Sequence, residues 1–225
     1  MNKQYVLILI TYLAMQFSSF IGIPLIYQIG VGIGVTESDM ELLAPSYWIV
    51  FSFSITFVLT MIWIRRSERL TRLERETPAD LSVTVLWAII GVFMAFIAQL
   101  IAITIESFLG IEQGSENTEM IIQLIETFPL VVLVSSIFGP VLEEIVFRKI
   151  IFGTLYNRYS FFISALISSF IFAIAHMELE HLLLYAAMGF TFAFLYVQTK
   201  RIIVPIFAHV TMNTLVVLAQ LFLER

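Results

Sequence analysis

Glu143, Glu144, Arg148, His176, His209 and Asn213 stand in apolar stretches of the C-terminal half of this chain, which also holds all three of its histidines. Ionisable groups at bilayer depth are costly, so each is a functional candidate. Within Glu143-Glu144-Ile145-Val146-Phe147-Arg148, residues four apart share a helical face and neighbours lie about 100° apart. Glu144 and Arg148 are therefore expected to pair, with Glu143 turned away and its carboxylate available. The same spacing joins Phe172 to His176 and His209 to Asn213. If 141–157 and 160–176 form an antiparallel hairpin around Asn157-Arg158, Glu143 lies about 22 Å and His176 about 25 Å from the turn, at one depth. His209 and Asn213 come out shallower, about 12–18 Å from the Lys200-Arg201 turn, a gap that Pro205 and a tilted helix would have to close.

A carboxylate and an imidazole at one depth, faced by a His/Asn donor pair, supply the parts of an acyl-transfer hydrolase that needs no covalent nucleophile. Glu143 would be the general base on water and His176 would orient that water or relay its proton. His209 and Asn213 would stabilise the tetrahedral oxyanion, with Glu144–Arg148 fixing the helix that presents Glu143. The competing account is a Zn²⁺ held by His176, His209 and a glutamate such as Glu143, although HExxH is absent and the histidines fall on different helices. The blander readings are neutralisation of Arg148 and Lys149 by the two acids, a packing role for His176, and a helix–helix hydrogen bond for His209 and Asn213.

These side chains need membrane helices to carry them. Of the 225 residues, 60% are hydrophobic and 13% charged, with 21 Phe and a mean hydropathy of +0.96; a soluble domain has about 45–50% apolar and about 25% charged residues. Lipid must cover the surplus, so the expected fold is an all-α polytopic transmembrane bundle. Seven stretches approach crossing length: 5–27, 46–64, 79–109, 129–157, 160–176, 182–199 and 202–222. An eighth would arise if the long region 119–157 split near Pro140. The preferred reading lays 119–128 along the interface and lets Pro129 and Pro140 start and kink one crossing. This gives one integrated membrane domain, with N-terminal helices and an interfacial segment over 1–127 and a catalytic core over 128–225.

Arg65, Arg66, Arg69, Arg72 and Arg75 crowd one connection, which the positive-inside rule places in the cytoplasm with Arg158 and Lys200-Arg201. The N-terminus, Met1-Asn2-Lys3, is expected to be cytoplasmic and to lead into a retained first crossing. Thr77-Pro78 is expected to open the third crossing and Gly110 to end it. His181 is expected in a solvated outer loop, Glu106 to snorkel to the interface, and Gly189, Phe190 and Phe192 to form a packing face. Net charge −5 with no basic tract excludes nucleic acid as an expected partner. Without cysteine there is neither disulfide nor thiol nucleophile. No feature of the sequence sets an oligomeric state.

Gly139-Pro140-x-x-Glu143-Glu144-x-x-x-Arg148, Phe172-x-x-x-His176 and His209-x-x-x-Asn213, in this order, resemble the CPBP family of intramembrane proteases (Abi), which includes type II CAAX prenyl endopeptidases and bacteriocin-processing or immunity proteins. The resemblance covers about residues 128–217. It implies an endopeptidase of the cell membrane acting on a peptide or membrane protein, with Glu143 and His176 activating water and His209 and Asn213 forming the oxyanion site. The family is commonly labelled metalloprotease, and a glutamate-based mechanism without metal is also argued for it. Many members carry a small residue after the motif arginine, where this chain has Lys149. The alternative that the resemblance also allows is a non-catalytic immunity or membrane interaction protein.

Overall fold

The computed structural model describes residues 3–68, 71–112 and 114–223, so Met1, Asn2 and Arg69 of the expected topology signals lie outside the described residues. All regular structure among them is helical. Helix α1 spans Lys3–Gly32 and α2 Glu37–Arg65. The Thr36 side chain caps α2 by accepting the Asp39 N–H at 3.2 Å, and Glu37 and Asp39 sit in its first turn, where the helix dipole favours acids. A single turn, α3 (Arg72–Arg75), precedes α4 (Leu81–Phe108).

Helix α4 opens at Asp80, later than the Thr77-Pro78 start expected from sequence. Tertiary bonds hold the residues before it: Ala79 N–H donates to the Thr199 carbonyl at 2.9 Å, and Arg201 Nε–H to the Ala79 carbonyl at 2.8 Å. Its expected end is met, with Gly110 in the left-handed region at φ 83° just beyond Phe108. Helix α5 (Glu116–Thr127) stops before Pro129 and is separate from the next helical run, as the break at that proline predicts.

That run, α6, extends over 131–156 and twice widens to i→i+5 bonding, at Val134–Phe138 and Glu144–Phe152. Pro140 lies on the ordinary turn between these widenings. Proline offers no N–H to the preceding turn, and π-type turns are one way a helix absorbs such a defect. Helix α7 (Phe161–Ala175), a 3₁₀ turn at Leu179–His181, α8 (Leu182–Thr199) and α9 (Ile203–Leu223) complete the chain.

Five helices are long and apolar enough to cross a membrane among the described residues: Lys3–Gly32, Glu37–Arg65, Leu81–Phe108, Leu179–Thr199 and Ile203–Phe222. Of the other two expected crossings, Phe161–Ala175 is apolar but has only 15 residues. The second, α6, carries Glu143, Glu144, Arg148 and Lys149 in a run broken by π turns. Large apolar side chains such as Phe17, Phe20 and Ile21 of α1 and Phe93, Ile97 and Leu100 of α4 face outward, as lipid contact requires.

Packing divides the chain into two compact units, each drawing residues from both sides of position 127. One comprises residues 68–115 and 143–213; its core joins Leu73, Phe152, Ala165, Ala193 and Tyr196. Here α7 and α8 approach so closely that a β-carbon on Gly189 would come within 3.0 Å of Ser169, which bears out the packing face expected there. The other unit comprises residues 3–67, 116–142 and 214–223 of those described, with a core of Leu124, Ile125, Val131 and Val217. Within it Trp48 Nε1–H donates to Ser18 Oγ at 3.1 Å and Phe57 stacks on Phe138 at 4.7 Å.

Candidate active site

The polar residues singled out in the sequence all belong to the first unit. Glu143 ends an ordinary turn of α6 and Glu144 begins the widened stretch Glu144–Phe152. The Ser168 hydroxyl of α7 donates to the Phe147 carbonyl at 2.7 Å, tying the widened stretch to its neighbour.

Glu144 is fully buried and holds two partners: Oε2 lies 3.3 Å from Arg148 Nε, and Oε1 2.9 Å from His209 Nδ1. Arg148, 1% exposed, is covered by aromatic faces, its guanidinium carbon 4.1 Å from the Phe172 centroid and 5.3 Å from that of Phe192. A buried guanidinium is tolerated only when paired and shielded in this way. His209 is stacked by Phe192 at 4.7 Å, with an interplanar angle of 20°. Its other nitrogen, Nε2, faces Glu143 Oε2 at 3.7 Å, and the Glu143 side chain keeps 19% of its surface exposed.

His176 caps the C-terminus of α7. Its Nδ1 lies 2.8 Å from the Phe172 carbonyl, and because a carbonyl only accepts, the proton sits on Nδ1. The neutral ring then offers the Nε2 lone pair. The Phe172 ring touches both imidazoles, its centroid 4.5 Å from that of His176 and 6.2 Å from that of His209. Asn213, half-buried, follows His209 by four residues on α9.

The structure thus brings together Glu143, Glu144, Arg148, Phe172, His176 and His209, and the depth gap for His209 is closed by its contacts at 2.9 and 3.7 Å. Glu144 pairs with Arg148 as the helical spacing predicts and Glu143 stays out of that pair, while the two carboxylates face opposite nitrogens of one imidazole, His209. Two expectations are corrected. His181 is not solvated and Glu106 does not snorkel. Glu106 is buried, 3.0 Å from His181 Nδ1, and accepts the Leu184 N–H at 2.9 Å, so the acid and the imidazole satisfy each other and the start of α8. Sequence reading missed the place of Tyr185 and Phe192 at the site, where their rings lie against His176 and His209. With Gly189 they recur at i, i+4 and i+7, one face of α8, which was the available signal.

Glu143, His176 and His209 were also the candidate metal ligands. Among the described residues no group of three or more His, Asp or Glu is arranged to hold a metal ion. In both histidines Nδ1 is engaged, by Glu144 for His209 and by the Phe172 carbonyl for His176, which leaves Nε2 as the nitrogen each ring has available for a proton or a ligand.

Comparison with known proteins gives a consistent picture. The model of a family described as type II CAAX prenyl endopeptidase Rce1-like matches residues 125–215. The protein named "Putative membrane peptidase YdiL" of Bacillus subtilis (strain 168) is 50% identical over 222 residues, covering 98% of this chain and 91% of that protein. The "Membrane-embedded CAAX protease MroQ" of Staphylococcus aureus (strain USA300) is 35% identical over 195 residues, 83% of this chain and 79% of that protein. No solved structure matches.

Proposed function

The chain belongs to the Rce1-like type II CAAX prenyl endopeptidase family, and from that premise we propose that it is an intramembrane endopeptidase hydrolysing a peptide bond of a membrane-associated peptide or protein. The observation that carries the reading is the pair of carboxylates on one imidazole: Glu143 stops 3.7 Å from His209 Nε2 while Glu144 holds Nδ1 at 2.9 Å. A carboxylate beside, and not bonded to, an imidazole can share with it a bridging water seated to one side of the 3.7 Å gap, within hydrogen-bond reach of both.

In this mechanism Glu143 takes the proton of the attacking water, which the His176 Nε2 lone pair helps to orient. As water adds to the peptide carbonyl, negative charge grows on its oxygen, and His209 and Asn213 donate to it. With Nδ1–H held by Glu144, His209 donates from Nε2 only when both its nitrogens carry protons, and the buried Glu144 carboxylate stabilises that positive ring. Collapse of the tetrahedral species breaks the C–N bond, and the proton held by Glu143 goes to the leaving amine. Arg148 balances Glu144 and fixes its orientation. No step is routed through a metal.

The relatives from Bacillus and Staphylococcus support a place in a bacterial cell membrane, and the arginines around α3 support a cytoplasmic N-terminus. The test is cleavage of a peptide library by the detergent-purified protein, with metal content measured and with chelator present or absent. Cleavage that survives the chelator and is lost in Glu143→Gln is the expected result. A fully active Glu143→Gln protein overturns the base assignment, and activity that falls and returns with a stoichiometric metal overturns the metal-free scheme.

A further inference from the structure

Among the described residues the His176 imidazole has one hydrogen bond, Nδ1–H to the Phe172 carbonyl, and a single bond lets a ring rock about the N–H···O axis. The backbone is tied to α7 through the His176 N–H to the Ala173 carbonyl and turns away at Met177, φ 61°, but these bonds do not set the plane of the ring. What fixes the plane of the ring is Tyr185, stacked on it at a centroid distance of 3.9 Å and 22° from parallel, with Phe172 edge-on at 4.5 Å.

Tyr185 is itself tied down. Its hydroxyl donates to Glu178 Oε2, and the Glu178 carboxylate also takes the Ser115 hydroxyl at 3.0 and 2.9 Å on its two oxygens. Glu178 follows His176 by two residues, so the stacked pair and its anchor form a small closed circuit through residues 176, 178 and 185. The backbone of α8 just before Tyr185 is held by Glu106 through the Leu184 N–H and His181. All of these residues lie in one compact unit.

We infer that Tyr185, anchored through Glu178 to Ser115, is the positioning residue of His176: it sets the ring plane and so aims Nε2 at the attacking water. The inference rests on the proposed role of His176 in catalysis. A misplacement of about 1 Å at a reacting group can cost about 10²-fold in rate, so the effect belongs in kcat.

The experiment measures peptide cleavage by the full-length protein with Tyr185→Phe, Tyr185→Leu, Glu178→Ala and His176→Ala, and records the imidazole nitrogen resonances of ¹⁵N-histidine-labelled protein. Tyr185→Phe keeps the stacked ring but loses its tie to Glu178, so its kcat should fall between those of the wild type and Tyr185→Leu. Tyr185→Leu should lose about 10- to 100-fold in kcat with KM little changed, and its His176 resonances should depart from the Nδ1-protonated signature. Glu178→Ala, which leaves the ring in place and cuts the same tie from the other side, should lose kcat as Tyr185→Phe does and serves if Tyr185→Leu does not fold. Wild-type kcat and an unaltered His176 signature in Tyr185→Leu or, where that does not fold, in Glu178→Ala, with His176→Ala inactive, overturn the inference. A fully active His176→Ala protein instead overturns the catalytic reading beneath it.

Discussion

Around α3 and at the candidate active site, the same unit keeps two carboxylates in opposite states. Glu74 accepts the Thr71 N–H and hydroxyl at 2.9 Å on Oε2 and faces Lys149 with Oε1. Glu143, one helical run away, stops 3.7 Å from His209 Nε2, outside hydrogen-bond distance. A carboxylate whose lone pairs are all engaged holds chain segments together and has little capacity left for a proton. One held near an imidazole but short of bonding it can accept a proton from a water that reaches both groups from one side. Residue type alone does not separate structural from chemical acids here; the saturation of the lone pairs does.

The sharpest way to break this contrast is to neutralise each acid in turn. Glu143→Gln should lower kcat by about 10²- to 10⁴-fold, the usual contribution of a general base, with the unfolding temperature in detergent little changed. Glu74→Gln should lower the unfolding temperature and leave kcat of the folded protein intact. If Glu74→Gln proves the more damaging to kcat, the contrast fails.

Glu144 tests the boundary between the two kinds. Like Glu74 it is paired with a cation, Arg148, but only its Oε1 is hydrogen-bonded, to His209, and it lies at the site. Glu144→Ala strands a buried guanidinium and should cost about 3–5 kcal/mol of stability, read from chemical unfolding in mild detergent. Asn213→Ala removes one proposed oxyanion donor and should reduce kcat by about 10²- to 10³-fold, about 2.7–4 kcal/mol in the barrier, with little change in unfolding. An Asn213→Ala protein of wild-type kcat would leave the oxyanion to other donors.

Much of this site was legible because it depends on spacing within single helices. The Glu144–Arg148 pair, the Phe172–His176 turn and the placement of α5 before Pro129 all follow from helical period and proline chemistry. What was not legible depends on contacts between distant helices. No spacing within α6 signals that Glu143 and Glu144 face opposite nitrogens of His209, because that histidine lies on another helix, 65 residues beyond Glu144. The Glu106–His181 pair escaped for the same reason: the two are 75 residues apart, and no local pattern signals which buried acid a distant histidine will meet. Lys149, which departs from the family pattern, became intelligible only once Glu74 was seen opposite it.

The smallest expected effect concerns Thr71, and it tests the structural side of the contrast alone. Helix α3 has four residues, too few to persist on intrinsic propensity, because the first turn fixes several dihedrals for a single bond. Its reciprocal cap supplies what is missing: Thr71 Oγ1 accepts the Glu74 N–H at 3.3 Å while the Glu74 carboxylate takes the Thr71 N–H. Thr71→Ala should therefore cost about 1 kcal/mol, read as a small fall in unfolding temperature, and Thr71→Ser should restore most of it. Both should cleave peptide at the wild-type kcat, because the cap fixes where Glu74 meets Lys149 and touches none of Glu143, His176 or His209. A loss of kcat in Thr71→Ala at unchanged unfolding temperature would mean that the cap acts on the chemistry, and the division between engaged and available carboxylates would then have to be redrawn.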